Sequence, residues 1–276
     1  MIKLALKQLW KNKKSNSWIL IEILIVSVLL WYCVDFLYVI TYKNNEPLGV
    51  NLENVYRLGL GANLTSTIDN NPDSIETLWV DPLLHIIKLI DEYPGVEATT
   101  YFVGSEPYNK NNIFQGYTSD EKNAYAATIR YVGDDYDKVF KVSMQEGGFK
   151  DWGIKTSPQG AVISPQLSDS LFQSQSAIGS TFRDYYEPDL KFHVTGISTP
   201  MKYSVYERYE PFIYTPFNLN RLHYTIPKIA FRVSPQANTP LFEQQFVDDM
   251  KSKLNIGPFY FFSLSSYVNQ EVFDNN

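Results

Sequence analysis

The chain has 276 residues, of which 44% are hydrophobic, 15% aromatic and 20% charged. This composition supports one or two folded domains and excludes a disordered or collagen-like protein. The formal net charge of −6 disfavours a nucleic-acid binder, and a single cysteine, Cys33, excludes both an internal disulfide framework and a cysteine-rich zinc site.

The charge is unevenly distributed along the chain. Residues 1–42 hold five lysines against Glu22 and Asp35, a net charge of +3, so the remaining 234 residues carry −9. A small basic N-terminal part therefore precedes a large acidic body.

The residues before position 12 predict a basic amphipathic helix over 2–11. Lys3, Lys7 and Lys11 repeat at every fourth position between apolar residues. Such a helix suits a membrane surface or a groove on a partner protein. Lys3, Lys7, Trp10 and Lys11 are therefore candidates for a cytoplasmic coupling contact, and a generic positively charged flank is the alternative.

An apolar run from Trp18 to Ile40 predicts a membrane-spanning helix. Its 23 residues rise about 34 Å as a helix, which is enough to cross a hydrocarbon core of about 30 Å. Trp18 and Tyr38 suit the two membrane interfaces, and the lysines before the run place the N-terminus in the cytoplasm. No small-residue cleavage pattern follows the run, which disfavours a cleaved signal peptide, and bulky residues precede Cys33, which disfavours a lipoprotein signal, so an uncleaved anchor is favoured. A buried core helix is the weaker alternative.

Two acidic residues lie within this apolar run. A charged side chain in mid-membrane costs about 2.5–3.5 kcal/mol on insertion scales, and the cost falls toward the ends. Glu22 and Asp35 stand near the two ends, so they either extend toward the interfaces or face other helices of a bundle. We interpret Trp18, Glu22, Asp35 and Tyr38 as residues of the membrane anchor.

The remaining sequence predicts a mixed body of strands and helices. Helices are expected at 82–92 with Asp81 as the N-cap, at 165–172 with Ser164 as the N-cap, and at 241–254. Strands mixed with a few helices indicate an α+β fold. Alternation and turn signals predict strands at 53–61, 98–103, 126–132, 139–144, 160–164, 190–197, 211–217, 228–233 and 258–264.

Motifs of common enzyme and cofactor sites are absent from the sequence. It contains no Gly-Lys-Ser/Thr phosphate loop, no G-x-S-x-G elbow and no zinc-type histidine pair, and His85, His193 and His223 are scattered. The aspartates at 134–137 lack the glycine and glutamate of a calcium loop, which favours a solvated turn. We therefore expect no catalytic residue, no cofactor and no metal.

Aromatic and charged residues are interleaved at 203–210. Tyr203, Tyr206 and Tyr209 are candidates for contact with a partner protein, and simple packing is the alternative. Too few basic residues stand among them for nucleic acid.

Six sequence patterns follow one another between 131 and 216. They are, in order, YVGDDYDKVFKV at 131–142, EGGF at 146–149, AVISPQLSDSLF at 161–172, AIGSTF at 177–182, FHVTGI at 192–197 and PFIYTP at 211–216. This succession resembles the periplasmic core domain of ABC transporter permeases of the MacB/FtsX class. The step Pro94-Gly95-Val96 after the predicted helix fits the resemblance, while Gly147-Gly148 and Gly179-Ser180 depart from the family's Gly-Arg and Gly-Lys.

The resemblance implies an α+β architecture in three parts. Residues 1–42 are the amphipathic N-terminal helix and the transmembrane helix. Residues 43–130 plus 226–276 form a porter-like subdomain of βαβ units, and residues 131–225 form an inserted, mostly β, sabre-like subdomain. Family permeases carry three further membrane helices after this domain, and the sequence ends at Asn276 without them, as expected of a fragment or a degenerate member.

The resemblance also implies a function and a set of partners. The chain would be a non-catalytic permease subunit of the bacterial inner membrane that couples ATP hydrolysis in the cytoplasm to export of peptides or drugs, or to other envelope work. The implied partners are an ABC ATPase on a separate chain, a second permease copy or paralogue, a periplasmic adaptor and the lipid bilayer. The alternatives are a single-pass extracytoplasmic sensor or ligand-binding protein, and a scaffold that recruits an envelope enzyme.

Overall fold

The computed structural model of the chain describes residues 13–60, 80–106, 113–120, 122–149, 158–173, 176–202, 208–219, 227–253 and 259–264. By its internal contacts the chain divides into two units, Met1–Glu46 and Pro47–Asn276. In the described residues, the first unit contains one helix and the second contains four helices and eleven strands.

The helix of the first unit, α1, covers Lys13–Asn45. Exposed large apolar side chains occur at nearly every position from Trp18 to Tyr42. Apolar surface therefore surrounds the helix instead of forming one stripe, which is typical of a membrane span rather than of a helix packed on a soluble core. The apolar part, Ser17–Tyr42, is 26 residues long and could cross a membrane by length and composition. The predicted span, 18–40, lies within it.

The elements of the second unit confirm the predicted α+β class. Those elements are, in chain order, β1 (Val55–Leu60), α2 (Asp81–Asp91), β2 (Val96–Val103), β3 (Ile113–Thr118), β4 (Tyr125–Val132), α3 (Tyr136–Phe140), β5 (Met144–Gly147), β6 (Gln159–Ile163), α4 (Pro165–Phe172), β7 (Thr181–Asp184), β8 (Lys191–Ser198), β9 (Phe212–Pro216), β10 (Lys228–Val233), α5 (Phe242–Lys253) and β11 (Phe259–Ser263).

The strands pair in two arrangements. β11, β1, β10 and β2 lie side by side as an antiparallel four-stranded sheet. β4, β3, β7, β8, β6 and β9 pair in that order, and β9 returns to pair with β4 in parallel, so these six strands close into a ring. A ladder of two residue pairs between β2 and β4 joins the sheet to the ring, and β5 pairs with β8.

Three apolar clusters fill the second unit. Helices α2 and α5 pack buried side chains, including Ile86, Ile90, Phe246 and Met250, against the four-stranded sheet. A second cluster fills the interior of the ring and includes residues of α4. The third cluster joins α3 to the strands around it and includes Phe140.

The predicted strand at 139–144 is wrong. Residues 136–140 form the short helix α3, and β5 begins only at Met144. Asp135 and Lys141 bracket the helix with left-handed backbone, at φ of 59° and 46°. Tyr136, Val139 and Phe140 are all buried, and their spacing of three and four residues is that of a helical face, which competes here with the β propensity of the same residues.

Of the two predicted helix N-caps, Asp81 is wrong and Ser164 is confirmed. Asp81 is not the N-cap of α2, because the helix begins one residue earlier and Val80 occupies that position. Asp81 instead lies in the first turn, where a carboxylate is favoured by the helix dipole. Ser164 is the N-cap of α4, as predicted, since its Oγ accepts a hydrogen bond from the Leu167 N–H at 3.2 Å.

The sequence patterns do not predict β3 or β7. β3 contains Gln115 and Gly116, and β7 is only four residues long, so the β signal of each is weak. The ring includes β3, which precedes residue 131, and β4, which begins at Tyr125 and contains residue 131. The division of the body into porter-like and sabre-like subdomains at 131 and 225 stays a prediction.

Candidate functional site

Residues 47–54, here called the junction segment, connect the end of α1 to the start of β1. The segment forms neither helix nor strand. Leu52 is nevertheless buried in the cluster around α3, and Leu48 and Val50 pack against the same cluster. The chain that follows α1 is therefore packed into the core of the second unit.

Backbone hydrogen bonds hold the middle of the junction segment to the chain around α3. The Asn51 N–H donates to the Phe140 carbonyl at 2.8 Å, and the Ser143 N–H donates to the Gly49 carbonyl at 3.3 Å. Gly49 has φ of 81°, and a Cβ added there would lie 2.8 Å from the carbonyl oxygen of Pro200. Only glycine fits this close approach without strain.

Lys202 and Tyr209 hold the start of the junction segment. The Lys202 N–H donates to the Leu48 carbonyl at 3.3 Å, and the Tyr209 hydroxyl donates to the Pro47 carbonyl at 3.2 Å. The Lys202 ammonium also lies 5.0 Å from the centre of the Tyr209 ring, within cation–π range. Tyr209 thus contacts the junction segment of its own chain.

Arg232 of β10 binds the end of the junction segment. Its side chain is buried and donates three hydrogen bonds to backbone carbonyls, from Nη2 to Asn51 at 2.6 Å, from Nη1 to Glu53 at 2.7 Å and from Nε to Val139 at 2.7 Å. Burial lowers the pKa of Arg232, and the carboxylates of Glu97 and Glu53 act in the opposite direction. Because an arginine normally titrates above pH 12, the guanidinium remains charged at neutral pH.

The Arg232 network, meaning Arg232 and the carbonyls of Asn51, Glu53 and Val139, joins three parts of the fold. They are the junction segment, α3 and an inner strand of the four-stranded sheet. Hydrogen bonds from a charged donor contribute about 1.5–3 kcal/mol each, and the planar guanidinium directs several of them from one side chain. The network therefore restrains the junction segment to move with β10 and α3.

Asn54 ends the junction segment with a further attachment to β10. It has φ of 58°, a left-handed conformation that asparagine tolerates better than most residues. Its carbonyl accepts a hydrogen bond from the Val233 N–H at 2.9 Å. The chain enters β1 directly after this turn and pairs with β10, beginning with Val55 opposite Arg232.

A buried ion cluster lies elsewhere on the four-stranded sheet. Glu106, which follows β2, is 3% exposed and forms ion pairs with Arg57 of β1 and Lys228 of β10. Such a cluster is weak evidence for stability, but removal of one partner is costly because it leaves a buried charge uncompensated. The cluster cross-links three neighbouring strands of the sheet that carries Arg232.

The structure brings one of the sequence-predicted residues to the junction segment. Tyr209 lies there, although a partner contact at Tyr209 stays a prediction. The predicted anchor residues Trp18, Glu22, Asp35 and Tyr38 are exposed on α1, and their role in an anchor stays a prediction. The other candidates lie outside the described residues, namely Lys3, Lys7, Trp10, Lys11, Tyr203 and Tyr206.

Sequence reasoning missed Arg232. The available signal is the strand sequence KIAFRV, in which one arginine stands among residues that are otherwise typical of a buried strand. An arginine at such a position must find hydrogen-bond acceptors in the interior. The sequence does not indicate which carbonyls these are.

Comparison with known proteins identifies the domain type. Residues 45–248 match the family model of the MacB-like periplasmic core domain. The chain is similar to the crystal structure of the periplasmic region of MacB from Actinobacillus actinomycetemcomitans, with a TM-score of 0.52 and 14% identity over 85% of this chain and 99% of that chain. It is also similar to the extracellular domain of the noncanonic ABC-type transporter YknZ from Gram-positive bacteria, with a TM-score of 0.45 and 14% identity over 76% of this chain and 100% of that chain. Sequence comparison with curated proteins finds no match.

Proposed function

Because the chain belongs to the MacB-like periplasmic core domain family, we propose that it is a permease subunit that transmits movement from the cytoplasmic side of the membrane to its external domain. The family is a component of ABC transporter-type permeases, whose assemblies include an ATPase. ATP hydrolysis by that ATPase would supply the movement. The work done outside would be export of a peptide or drug, or another envelope task.

The observation that carries this proposal is the attachment of the junction segment. Transmission requires that a displacement at the end of α1 reaches the body, and a flexible linker would absorb it. Residues 47–54 are held instead by hydrogen bonds from Tyr209, Lys202 and Arg232 and by the burial of Leu52. A displacement passed along the chain therefore acts first on α3 and β10.

The proposed topology places the N-terminus in the cytoplasm and residues from about 43 onward outside the inner membrane. It rests on the lysines that precede the apolar part of α1, since positively charged flanks stay in the cytoplasm. In this arrangement Lys3, Lys7, Trp10 and Lys11 are the proposed contact with an ATPase on a separate chain. Dimerisation with a second permease copy or paralogue, and contact with a periplasmic adaptor, belong to the same proposal.

A flexible insertion tests the transmission directly. Six residues of Gly and Ser are inserted after Asn45 in the permease, which is purified with its ATPase in lipid nanodiscs. The matched control carries the same insertion in the exposed turn at 187–189. Two quantities are measured for each protein: the ATPase rate, and the ATP-dependent change in hydrogen exchange of backbone amides in the second unit.

We expect ATP hydrolysis to continue in the Asn45 insertion while the ATP-dependent change in exchange disappears. The 187–189 insertion should retain both. An unchanged exchange response in the Asn45 insertion would refute transmission through the junction segment. Failure of any ATPase to co-purify with the unaltered chain would favour the single-pass sensor instead.

A further inference from the structure

A polar cavity lies at one end of the ring, and the proposed function does not use it. It is bounded by the C-terminal end of α4, by the residues that follow β3 and by the first residues of β4 and β7. Its volume is about 510 Å³, which is within the range of about 300–1,000 Å³ typical of small-molecule sites. The cavity is therefore large enough for a small organic molecule.

Three serine hydroxyls in the lining act as hydrogen-bond acceptors. Ser119, Ser170 and Ser180 each donate their single hydroxyl proton to a backbone carbonyl of the protein. These carbonyls belong, in the same order, to Leu171 at 2.6 Å, Gln166 at 2.8 Å and Ser176 at 3.1 Å. Because a serine hydroxyl has one proton and two lone pairs, each can only accept a hydrogen bond from a ligand. Ser119 is exposed and the other two serines are half-buried, so a ligand in the cavity can reach them.

The Asp120 carboxylate adds a negative charge to the same lining. The backbone N–H groups of Asn123 and Lys122 donate to its Oδ1, each at 3.1 Å, and these hydrogen bonds lower the pKa of Asp120. The carboxylate is therefore ionised at neutral pH, and in that form it is an acceptor only. Asp120 is exposed, so its oxygen atoms are also within reach of a ligand.

The C-terminal end of α4 has the same polarity. The sequence of α4, PQLSDSLF, contains one carboxylate and no basic side chain. Peptide dipoles place a partial negative charge at the C-terminus of a helix, where cations are favoured. Tyr125 supplies an aromatic wall of the cavity, and a cation is also attracted to the face of an aromatic side chain. The lining therefore favours a ligand that carries positive charge and several hydrogen-bond donors.

We propose that this cavity binds a small organic cation of the guanidinium class. A guanidinium carries a positive charge and a planar set of N–H donors, so it pairs with Asp120 while it donates to the serine oxygens. Its flat surface stacks on the aromatic side chain of Tyr125. The guanidinium belongs either to a free compound or to an arginine side chain of a peptide. Binding at this site is independent of transmission through the junction segment.

Three small probes separate the contribution of charge from that of hydrogen bonding. Methylguanidinium has both, methylurea has N–H donors without charge, and tetramethylammonium has charge without N–H donors. A fourth probe, acetyl-arginine methylamide, represents an arginine within a peptide. Binding is measured by saturation-transfer NMR on the methyl groups of the probes, with the full chain in nanodiscs of zwitterionic lipid. The signal from empty nanodiscs is subtracted.

Two pairs of variants test the assigned residues. Asp120→Asn removes the charge at nearly constant volume, and Asp248→Asn at an exposed position of α5 is its control. Ser170→Phe places a phenyl group in the cavity, and Ser252→Phe is its control. Both serines lie on helices and donate to a carbonyl of their own helix. Thermal unfolding of each variant establishes that it is folded.

We expect saturable binding of methylguanidinium, with methylurea and tetramethylammonium at least about tenfold weaker. Asp120→Asn should weaken methylguanidinium about fivefold, the value of a well-placed exposed ion pair. Ser170→Phe should abolish binding, and both control variants should bind as the unaltered chain does. Acetyl-arginine methylamide should bind more tightly than methylguanidinium if a peptide is the source of the guanidinium, and no more tightly if a free compound is.

Four results would each overturn the proposal. They are no saturable binding of methylguanidinium up to about 20 mM, equal or tighter binding of methylurea or tetramethylammonium, unchanged affinity in Asp120→Asn, and undiminished binding in Ser170→Phe. None of them bears on transmission, which the insertion after Asn45 tests separately.

Discussion

Replacement of Arg232 by methionine tests whether the Arg232 network restrains the junction segment. Methionine fills a similar volume but donates no hydrogen bond, so the carbonyls of Asn51, Glu53 and Val139 lose their shared partner. The junction segment keeps its other backbone bonds and the buried side chain of Leu52. The expected result is a folded protein in which the junction segment opens more readily.

The expected loss of unfolding free energy follows from the three hydrogen bonds that Arg232 donates. Each bond from a charged donor contributes about 1.5–3 kcal/mol, and the variant recovers part of this because it no longer buries a cation. We therefore expect a net loss of about 3 kcal/mol. For a domain of this size the loss lowers Tm by about 6–12 °C, and it speeds local amide exchange by about 100-fold if opening is confined to the segment.

Hydrogen exchange measured by mass spectrometry provides the local readout, and thermal unfolding provides the global one. The peptide containing Asn51 should lose protection, whereas peptides from the ring strands β6 and β8 should not. The matched control is Arg208→Met, which removes an arginine from an exposed position. Arg232→Lys should fall between the variant and the unaltered chain, because an ammonium keeps the charge but not the planar set of donors.

Two results would refute the reasoning. The first is exchange at Asn51 in Arg232→Met within about threefold of the unaltered chain, which would show that the network does not restrain the segment. The second is an equal effect of Arg208→Met, which would assign the change to lost surface charge.

Three further predictions concern other residues of the second unit. Gly49→Ala should lower stability by about 1–3 kcal/mol in chemical unfolding, since φ is 81° and the new Cβ meets a carbonyl, whereas Gly148→Ala, with nothing within 4 Å, should be neutral. Glu106→Gln should cost about 1–3 kcal/mol because the largely buried Arg57 loses its carboxylate partner, whereas the exposed Glu92→Gln should change stability by less than about 0.5 kcal/mol. Burial raises the pKa of Tyr101 to about 12, so its stabilising contribution is complete below pH 10 and is lost as the pH rises toward 12. Tyr101→Phe should therefore lose about 1 kcal/mol less unfolding free energy than the unaltered chain between pH 9 and pH 11, and an equal loss would contradict the shift.

Much of the local structure could be predicted from the sequence. The long apolar helix α1 follows from an apolar run with no polar face, and the start of α4 follows from Ser164 followed by proline. Both signals are carried by residues adjacent in the chain. The wrong strand prediction at 139–144 has a different cause. Residues there that favour strands are buried on one face of the short helix α3, and the turns at the two ends of α3 depend on the left-handed backbone of Asp135 and Lys141.

The candidate site could not be predicted in the same way. Arg232 bonds to Asn51 and Glu53, which lie 181 and 179 positions earlier in the chain. No local sequence pattern around Arg232 indicates these partners.

The sequence by itself determined the apolar helix near the start, the α+β class and the order of patterns typical of the family, because each depends on the spacing of nearby residues. Only the tertiary structure decided that β9 pairs with β4 to close the ring and that Arg232 holds the junction segment. The physical reason is that hydrogen bonds and burial between distant segments depend on which strands become neighbours. That choice is made by the packing of the whole domain and not by the period of any one element.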